Sequence, residues 1–343
     1  MSSGENMRSS VTRIAISQLR STSNKADNLI DVAKCAGWAK QSGSVMLFLP
    51  ECLGFMGDNA THTLEQADTE ISLDNKDIDQ NPLHKLLSDA IISPDANLKI
   101  EGNQNTTSIV QALQFIARES NLWISGGGVH TRVPTSKSPS DQKIYNTHVI
   151  IDNNGLLKAY YHKIHLFDVS IPGKVNLQES KTTEPGTKLV LCDSPIGKLG
   201  LSICYDMRFS EMYVDLVNEG AQILLAPSAF TVPTGKAHWH ALLRARAIES
   251  QCYMIAAAQV GKHNEKRQSY GHSLVYDPWG ELLADAGGFD GVGMTGIQAT
   301  SSDDSPVVTP SIVTCEIDLN KIASVRESMP MQQHRANSKY SLT

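Results

Sequence analysis

The sequence is poor in the features that mark several large classes of protein. No apolar run approaches the ~18 residues of a membrane-spanning helix, so no membrane partner is expected. The opening Met1-Ser-Ser-Gly-Glu5 lacks the basic start and apolar stretch of a secretory signal. Thirty Lys and Arg against thirty-six Asp and Glu leave a formal net charge of −6 with no basic run. A nucleic-acid partner needs a basic stripe to neutralise phosphates and is set aside. The six cysteines, at 35, 52, 192, 204, 252 and 315, form no Cys-x-x-Cys pair and sit in apolar segments. Most read as buried thiols of a reducing compartment, and the set as neither a zinc cage nor a disulfide framework. A cytosolic address is therefore expected; a mitochondrial one ranks second, because Met1 to Ser10 is Ser-rich and carries Arg8. Neither an internal repeat nor a linker divides the chain.

What is present is an alternation of short apolar runs with helical patterns. Val45 to Leu49, Leu122 to Gly128, His148 to Asp152, Leu156 to Tyr161, Leu199 to Cys204, Gln222 to Ala226, Met254 to Gln259, Ser273 to Tyr276, Leu282 to Asp285 and Ile312 to Ile317 read as strands. Turn sequences at Asp152-Asn-Asn-Gly155 and Asp277-Pro-Trp-Gly280 imply hairpins, hence two sheets and not one parallel sheet. Helices are expected at Asn24 to Lys40, Thr107 to Ser120, Glu211 to Glu219 and Gly235 to Gln251, the last with Arg244 and Arg246 off its apolar stripe. Two stretches break the pattern and read as loop-like surface insertions: 58–104, which holds ten acids against three lysines, and 287–310; residues 1–10 read as a flexible N-terminus.

Three segments carry chemistry. Cys204 ends the run Gly200-Leu-Ser-Ile-Cys204 ahead of a helical pattern, and a strand-to-helix elbow exposes a side chain while aiming backbone N–H groups at one point. Glu51 closes Val45-Met-Leu-Phe-Leu-Pro-Glu51 at the carboxyl end of a core strand, where α/β sheets place ligands. Lys163 lies among aromatic and apolar residues in Tyr161-His-Lys-Ile-His-Leu-Phe-Asp168. A cysteine with a pKa of about 8.5 is only a few per cent thiolate at pH 7, so it needs a base or a cation beside it. A glutamate can take the proton and a lysine can hold the anion.

These three motifs, in this order, resemble the Glu–Lys–Cys signature of the nitrilase superfamily of carbon–nitrogen hydrolases. The similarity spans 11–340. The resemblance implies a single-domain α-β-β-α sandwich that pairs into a homodimer or a higher homo-oligomer, a small-molecule amide substrate, and no metal or organic cofactor. It makes Glu51 the general base, Cys204 the nucleophile, and Lys163 with the backbone N–H of Tyr205 the oxyanion holders. Glu179, in Asn176-Leu-Gln-Glu-Ser180, matches a second glutamate near the lysine. Downstream segments, among them Ala226-Pro-Ser-Ala-Phe230 and Ala237-His-Trp239, resemble the branch whose members split deaminated glutathione into α-ketoglutarate and cysteinylglycine. There Arg208, Phe230 and Thr231 match positions around the acyl end of the substrate.

Three rival readings stay open at this level. An ω-amidase acting on α-ketoglutaramate would share the acyl half of the substrate and all the machinery. The same fold kept for partner binding would need none of it. A metal hydrolase would draw on His162, His165, His238 and His240, although no His-Glu-x-x-His pattern is present.

Overall fold

Alternate side chains of the strand Val11–Leu19 belong to two different cores: Ile14 and Ile16 to one, Ala15 and Leu19 to the other. The neighbouring strand Met46–Leu49 repeats the division, with Met46 and Phe48 on one face and Leu47 and Leu49 on the opposite one. A sheet buried on both faces must have a layer on each side. In the computed structural model, which describes residues 11–69, 71, 73, 83–98, 108–134, 142–171, 175–288, 297–298, 307–308 and 310–338, those layers are helices on one face and a second sheet on the other.

The first sheet runs in the order Gln268–Tyr270, Ala258–Lys262, Val11–Leu19, Met46–Leu49, Trp123–Arg132, Ile144–Ile151 and Leu157–His162, with Ser311–Asp318 also pairing on Val11–Leu19. Its centre is parallel and its margins antiparallel. The second sheet runs Leu282–Asp285, Leu274–Tyr276, Tyr253–Ala256, Ile223–Leu225, Gly197–Leu201 and Leu191–Ser194. The helices Lys25–Gln41 and Ile109–Ser120 close the outer face of the first sheet, and His84–Ile92 packs against both helices; Leu29, Val32, Leu87, Leu113 and Ile116 are all fully buried. Ser210–Asn218 and Val232–Ser250 cover the second through Tyr213, Leu216, Trp239 and Leu243. Each such side chain contributes about 1.5–3 kcal/mol on leaving water. The expected four-layer sandwich is the observed one.

The helix starting after Asn24 begins there because the Asn24 side chain accepts from the N–H groups of Ala26 and Asp27. Two expectations need correction. The run Met254 to Gln259 is two strands in two sheets: Tyr253–Ala256 ends in the second, and the chain crosses at Ala257 to start Ala258–Lys262 in the first. Within 58–104 lie two helices, Ala60–Gln66 and His84–Ile92, and the second is core, with Leu83, Leu87 and Ala90 fully buried. The 287–310 stretch carries one short pairing, Ile297–Gln298 with Val307–Val308, and lies mostly outside the described residues. The expectation for residues 1–10 falls outside the described residues. Among the described residues no helix is long and apolar enough to cross a membrane.

Candidate active site

Four chain segments converge on one cavity. Glu51 follows the strand Met46–Leu49 by two residues, and Lys163 follows Leu157–His162 directly. Glu179 opens a short 3-10 turn, Glu179–Lys181. Cys204 does not end a strand as expected: Gly197–Leu201 stops three residues earlier, and Cys204 opens the 3-10 turn Cys204–Arg208 with φ of 49°. A non-glycine residue in the left-handed region is uncommon and is held there by its surroundings. Here the Cys204 N–H is tied to the Pro227 carbonyl at 3.0 Å.

One fully buried carboxylate braces that turn. Asp206 Oδ2 accepts from Tyr161 Oη at 2.8 Å and from the Ile203 N–H at 2.9 Å. Its Oδ1 accepts from the His165 N–H at 3.0 Å and faces His165 Nδ1 at 2.8 Å. Tyr161 and His165 flank Lys163, so the lysine segment and the cysteine turn are locked together through a single side chain.

At the centre, Lys163 Nζ is 2% exposed and lies 3.2 Å from Glu51 Oε1 and 2.9 Å from Glu179 Oε2. The Cys204 thiol lies close enough to the Glu51 carboxylate for each to shift the other's pKa. Glu51 Oε2 accepts from the Ala229 N–H at 2.8 Å, and Glu179 Oε2 from the Phe167 N–H at 2.7 Å. Burial alone would raise the Glu51 pKa, but the Lys163 charge and the hydrogen bonds from Cys204 and Asn146 hold it below the ordinary glutamate value. For Lys163 burial works downward, and Glu179 and Glu51 outweigh it, leaving its pKa well above that of a free lysine. Burial and the Glu51 charge drive the Cys204 thiol well up, with Lys163 and the Ala229 N–H opposing. The resting site is thus a neutral thiol beside a carboxylate, not a preformed thiolate.

All eight residues singled out from the sequence, Glu51, Lys163, Glu179, Cys204, Tyr205, Arg208, Phe230 and Thr231, line one cavity of about 420 Å³. Arg208 is the last residue of the 3-10 turn Cys204–Arg208. Its guanidinium lies 5.4 Å from the Phe230 ring centroid and 5.6 Å from that of Tyr205, and its buried Nε has no partner among the described residues. Sequence reasoning missed Asn146, whose Nδ2 donates to Glu51 Oε1 at 2.9 Å and to Glu179 Oε1 at 3.3 Å. Its strand, Ile144–Ile151, also carries Thr147 and His148, so nothing in the local sequence set Asn146 apart. It also missed Gly128, with φ of +56°, where a Cβ would stand 2.7 Å from Glu51 Cγ. Only glycine lets the backbone pass that close to the carboxylate.

The histidines proposed as metal ligands do not converge. His162 Nδ1 meets Thr147 Oγ1 at 2.9 Å, His165 is held by Asp206, and His238 Nδ1 lies 3.3 Å from Arg208. Among the described residues the one group with metal-ligand chemistry is His240, His272 and Asp285, away from the cavity lining. There His272 Nδ1 lies 3.0 Å from Asp285 Oδ1, the separation of an ordinary hydrogen bond.

The family model for carbon-nitrogen hydrolase matches residues 13–327. The deaminated glutathione amidase of Dictyostelium discoideum is 40% identical over 331 residues, 96% of each chain. The nitrilase and fragile histidine triad fusion protein NitFhit of Drosophila melanogaster is also 40% identical over 96% of this chain, which spans 58% of that relative's length. The crystal structure of the Caenorhabditis elegans NitFhit protein matches with a TM-score of 0.71 at 37% identity, over 97% of this chain and 69% of that one.

Proposed function

This chain belongs to the carbon–nitrogen hydrolase family, and from that premise we propose that it hydrolyses the side-chain amide of deaminated glutathione through a thioester on Cys204. The enzyme is a hydrolase of amide C–N bonds acting on a small molecule. The observation that carries the mechanism is the buried cluster in which Glu51 shares Lys163 with Glu179 and lines one cavity with Cys204.

Because the thiol pKa is raised and that of Glu51 is lowered, proton transfer between them is uphill in the resting site. It proceeds only as sulfur bonds to the amide carbonyl and negative charge moves onto oxygen. Lys163 and the N–H of Tyr205, which in the first turn has no place in the turn's own ladder, receive that oxyanion. The tetrahedral adduct collapses with loss of the amine, which takes its proton from the protonated Glu51. A water then gives its proton to the same carboxylate and attacks the thioester, releasing the acid and restoring the thiol. Glu179 keeps Lys163 charged and in place throughout.

The acyl half of deaminated glutathione ends in an α-keto carboxylate. Arg208, planar, seated on the Phe230 and Tyr205 rings and with its Nε unpaired, suits such a group. Thr231 lines the same cavity. The test is turnover of deaminated glutathione, α-ketoglutaramate and glutamine side by side. Deaminated glutathione should be hydrolysed fastest and glutamine, with an ammonium in place of the keto group, least. Arg208→Lys should lower kcat/KM for both keto acids by about tenfold. Faster turnover of α-ketoglutaramate would make the enzyme an ω-amidase instead.

A cytosolic, homodimeric protein completes the proposal. Six free cysteines support a reducing compartment, and the exposed Ile248, Trp279, Leu282 and Leu283 offer an apolar surface for a second copy.

A further inference from the structure

We propose that Lys266 and Arg267 form the docking point for a second substrate carboxylate, the one carried by the leaving amine, and so separate dipeptide-releasing substrates from those that release ammonia. This rests on the substrate reading above. Both residues line the cavity, on the turn between the strands Ala258–Lys262 and Gln268–Tyr270.

The turn is built before any ligand arrives. Asn264 Oδ1 accepts from the N–H groups of Lys266 at 2.9 Å and Arg267 at 3.0 Å, and the His263 N–H donates to the Arg267 carbonyl at 2.9 Å. Beneath it the buried His263 bridges the Ser21 carbonyl and Ser269 Oγ, each at 2.8 Å. Ser269 bridges to Thr231, and the Tyr270 N–H donates to the Phe230 carbonyl at 2.9 Å, so the turn is anchored to the wall that carries the acyl-end residues. Two cations are therefore presented at fixed backbone positions, which lowers the ordering cost of using them.

Charge accounting around the cavity leaves them without partners. Lys163 is matched by Glu51 and Glu179. Glu265 is taken by Lys262 at 3.0 Å, and Asp58 faces His62 at 3.4 Å. Neither the Lys266 nor the Arg267 side chain makes an ion pair or hydrogen bond among the described residues. Arg208 is placed by the Phe230 and Tyr205 rings, whereas Lys266 and Arg267 belong to a different turn of the same cavity wall. A single guanidinium can grip one carboxylate at a time. Deaminated glutathione has two, one at each end, with the scissile amide between them; α-ketoglutaramate has only the one on its acyl half. The second cation set has work to do only for the longer molecule.

The test compares kcat and KM of the wild-type protein and the Lys266→Gln/Arg267→Gln double variant on deaminated glutathione, its C-terminal carboxamide and α-ketoglutaramate. The side chains replaced are exposed, and the main-chain bonds of the turn survive the change. The wild type should prefer deaminated glutathione over its carboxamide by about tenfold, through KM and not kcat, with the preference shrinking as salt is added. In the double variant that preference should collapse toward one, and α-ketoglutaramate should lose at least threefold less than deaminated glutathione. Equal losses on all three substrates, or an intact preference in the variant, would overturn the subsite while leaving the substrate reading in place. A wild-type protein inactive on deaminated glutathione would overturn both.

Discussion

Asn146 Nδ2 stands 2.9 Å from Glu51 Oε1, and the same nitrogen reaches Glu179 Oε1 at 3.3 Å. One side chain thus spans the two carboxylates that share Lys163. It fixes their separation and leaves the lysine a single position from which to meet both. Asn146 is 2% exposed and its Oδ1 has no partner among the described residues, so the residue is spent on this bridge.

Asn146→Ala should therefore act as loss of a positioning residue. We expect kcat to fall by about tenfold or more with KM little changed, and the folded state to lose about 1–3 kcal/mol. Asn146→Asp would add a third carboxylate beside one ammonium and should cost more. Steady-state kinetics with thermal unfolding as the control checks this; an Asn146→Ala enzyme with full kcat would remove the bridge from the account.

The depressed Glu51 pKa sets the sign of the pH response. The carboxylate is the form stabilised by folding, so its contribution is complete above the unfolded value of about 4.3 and is lost as pH falls through the lower folded value. The acid limb of kcat/KM should lie below about 4.3, wherever the fold survives, with a flat profile through neutrality. Burial pushes the cavity histidine, His130, down to about 4, so it is neutral across that plateau. An acid limb near pH 6–7 would mean that a histidine carries the essential proton.

Lys163→Met removes the one cation shared by two carboxylates. With Glu51 buried and unpaired, the site should destabilise by about 3–5 kcal/mol, and kcat should fall by about 10²-fold or more. Adding Glu51→Gln and Glu179→Gln to that variant should recover stability but not activity. Thermal unfolding separates the two effects, and a single variant as stable as the parent would contradict the buried charge cluster.

Much of this site was legible because each of its three main residues follows a short apolar run, and a strand end is where a sheet exposes a side chain to a ligand. The runs themselves placed most strands. Val11–Leu19 escaped notice because Arg13, Ser17 and Gln18 interrupt it; in the fold Ser17 and Gln18 are buried and bonded to the Phe48 and Gly287 carbonyls. The break at Ala257 was invisible because both strands it separates are apolar, and nothing local distinguishes one sheet from the other. Arg246 lies off the apolar stripe of its helix, yet it is buried, with its Nε donating to a carbonyl thirty-nine positions away. Asn146 depends likewise on Glu51, ninety-five positions distant. Contacts that far apart in sequence leave no periodic trace.

The central claim is a covalent bond between the acyl group and Cys204, and the most direct measurement is rapid quenching during turnover of deaminated glutathione followed by peptide mass mapping. Cys52 is the informative control, since it lines the same cavity, with its thiol pushed up to about 12 by burial and the neighbouring Glu51 charge. The account predicts one acyl group on the peptide containing Cys204, none on that containing Cys52, and no turnover by Cys204→Ala. An adduct on Cys52, or a Cys204→Ala protein that still releases cysteinylglycine, would contradict it.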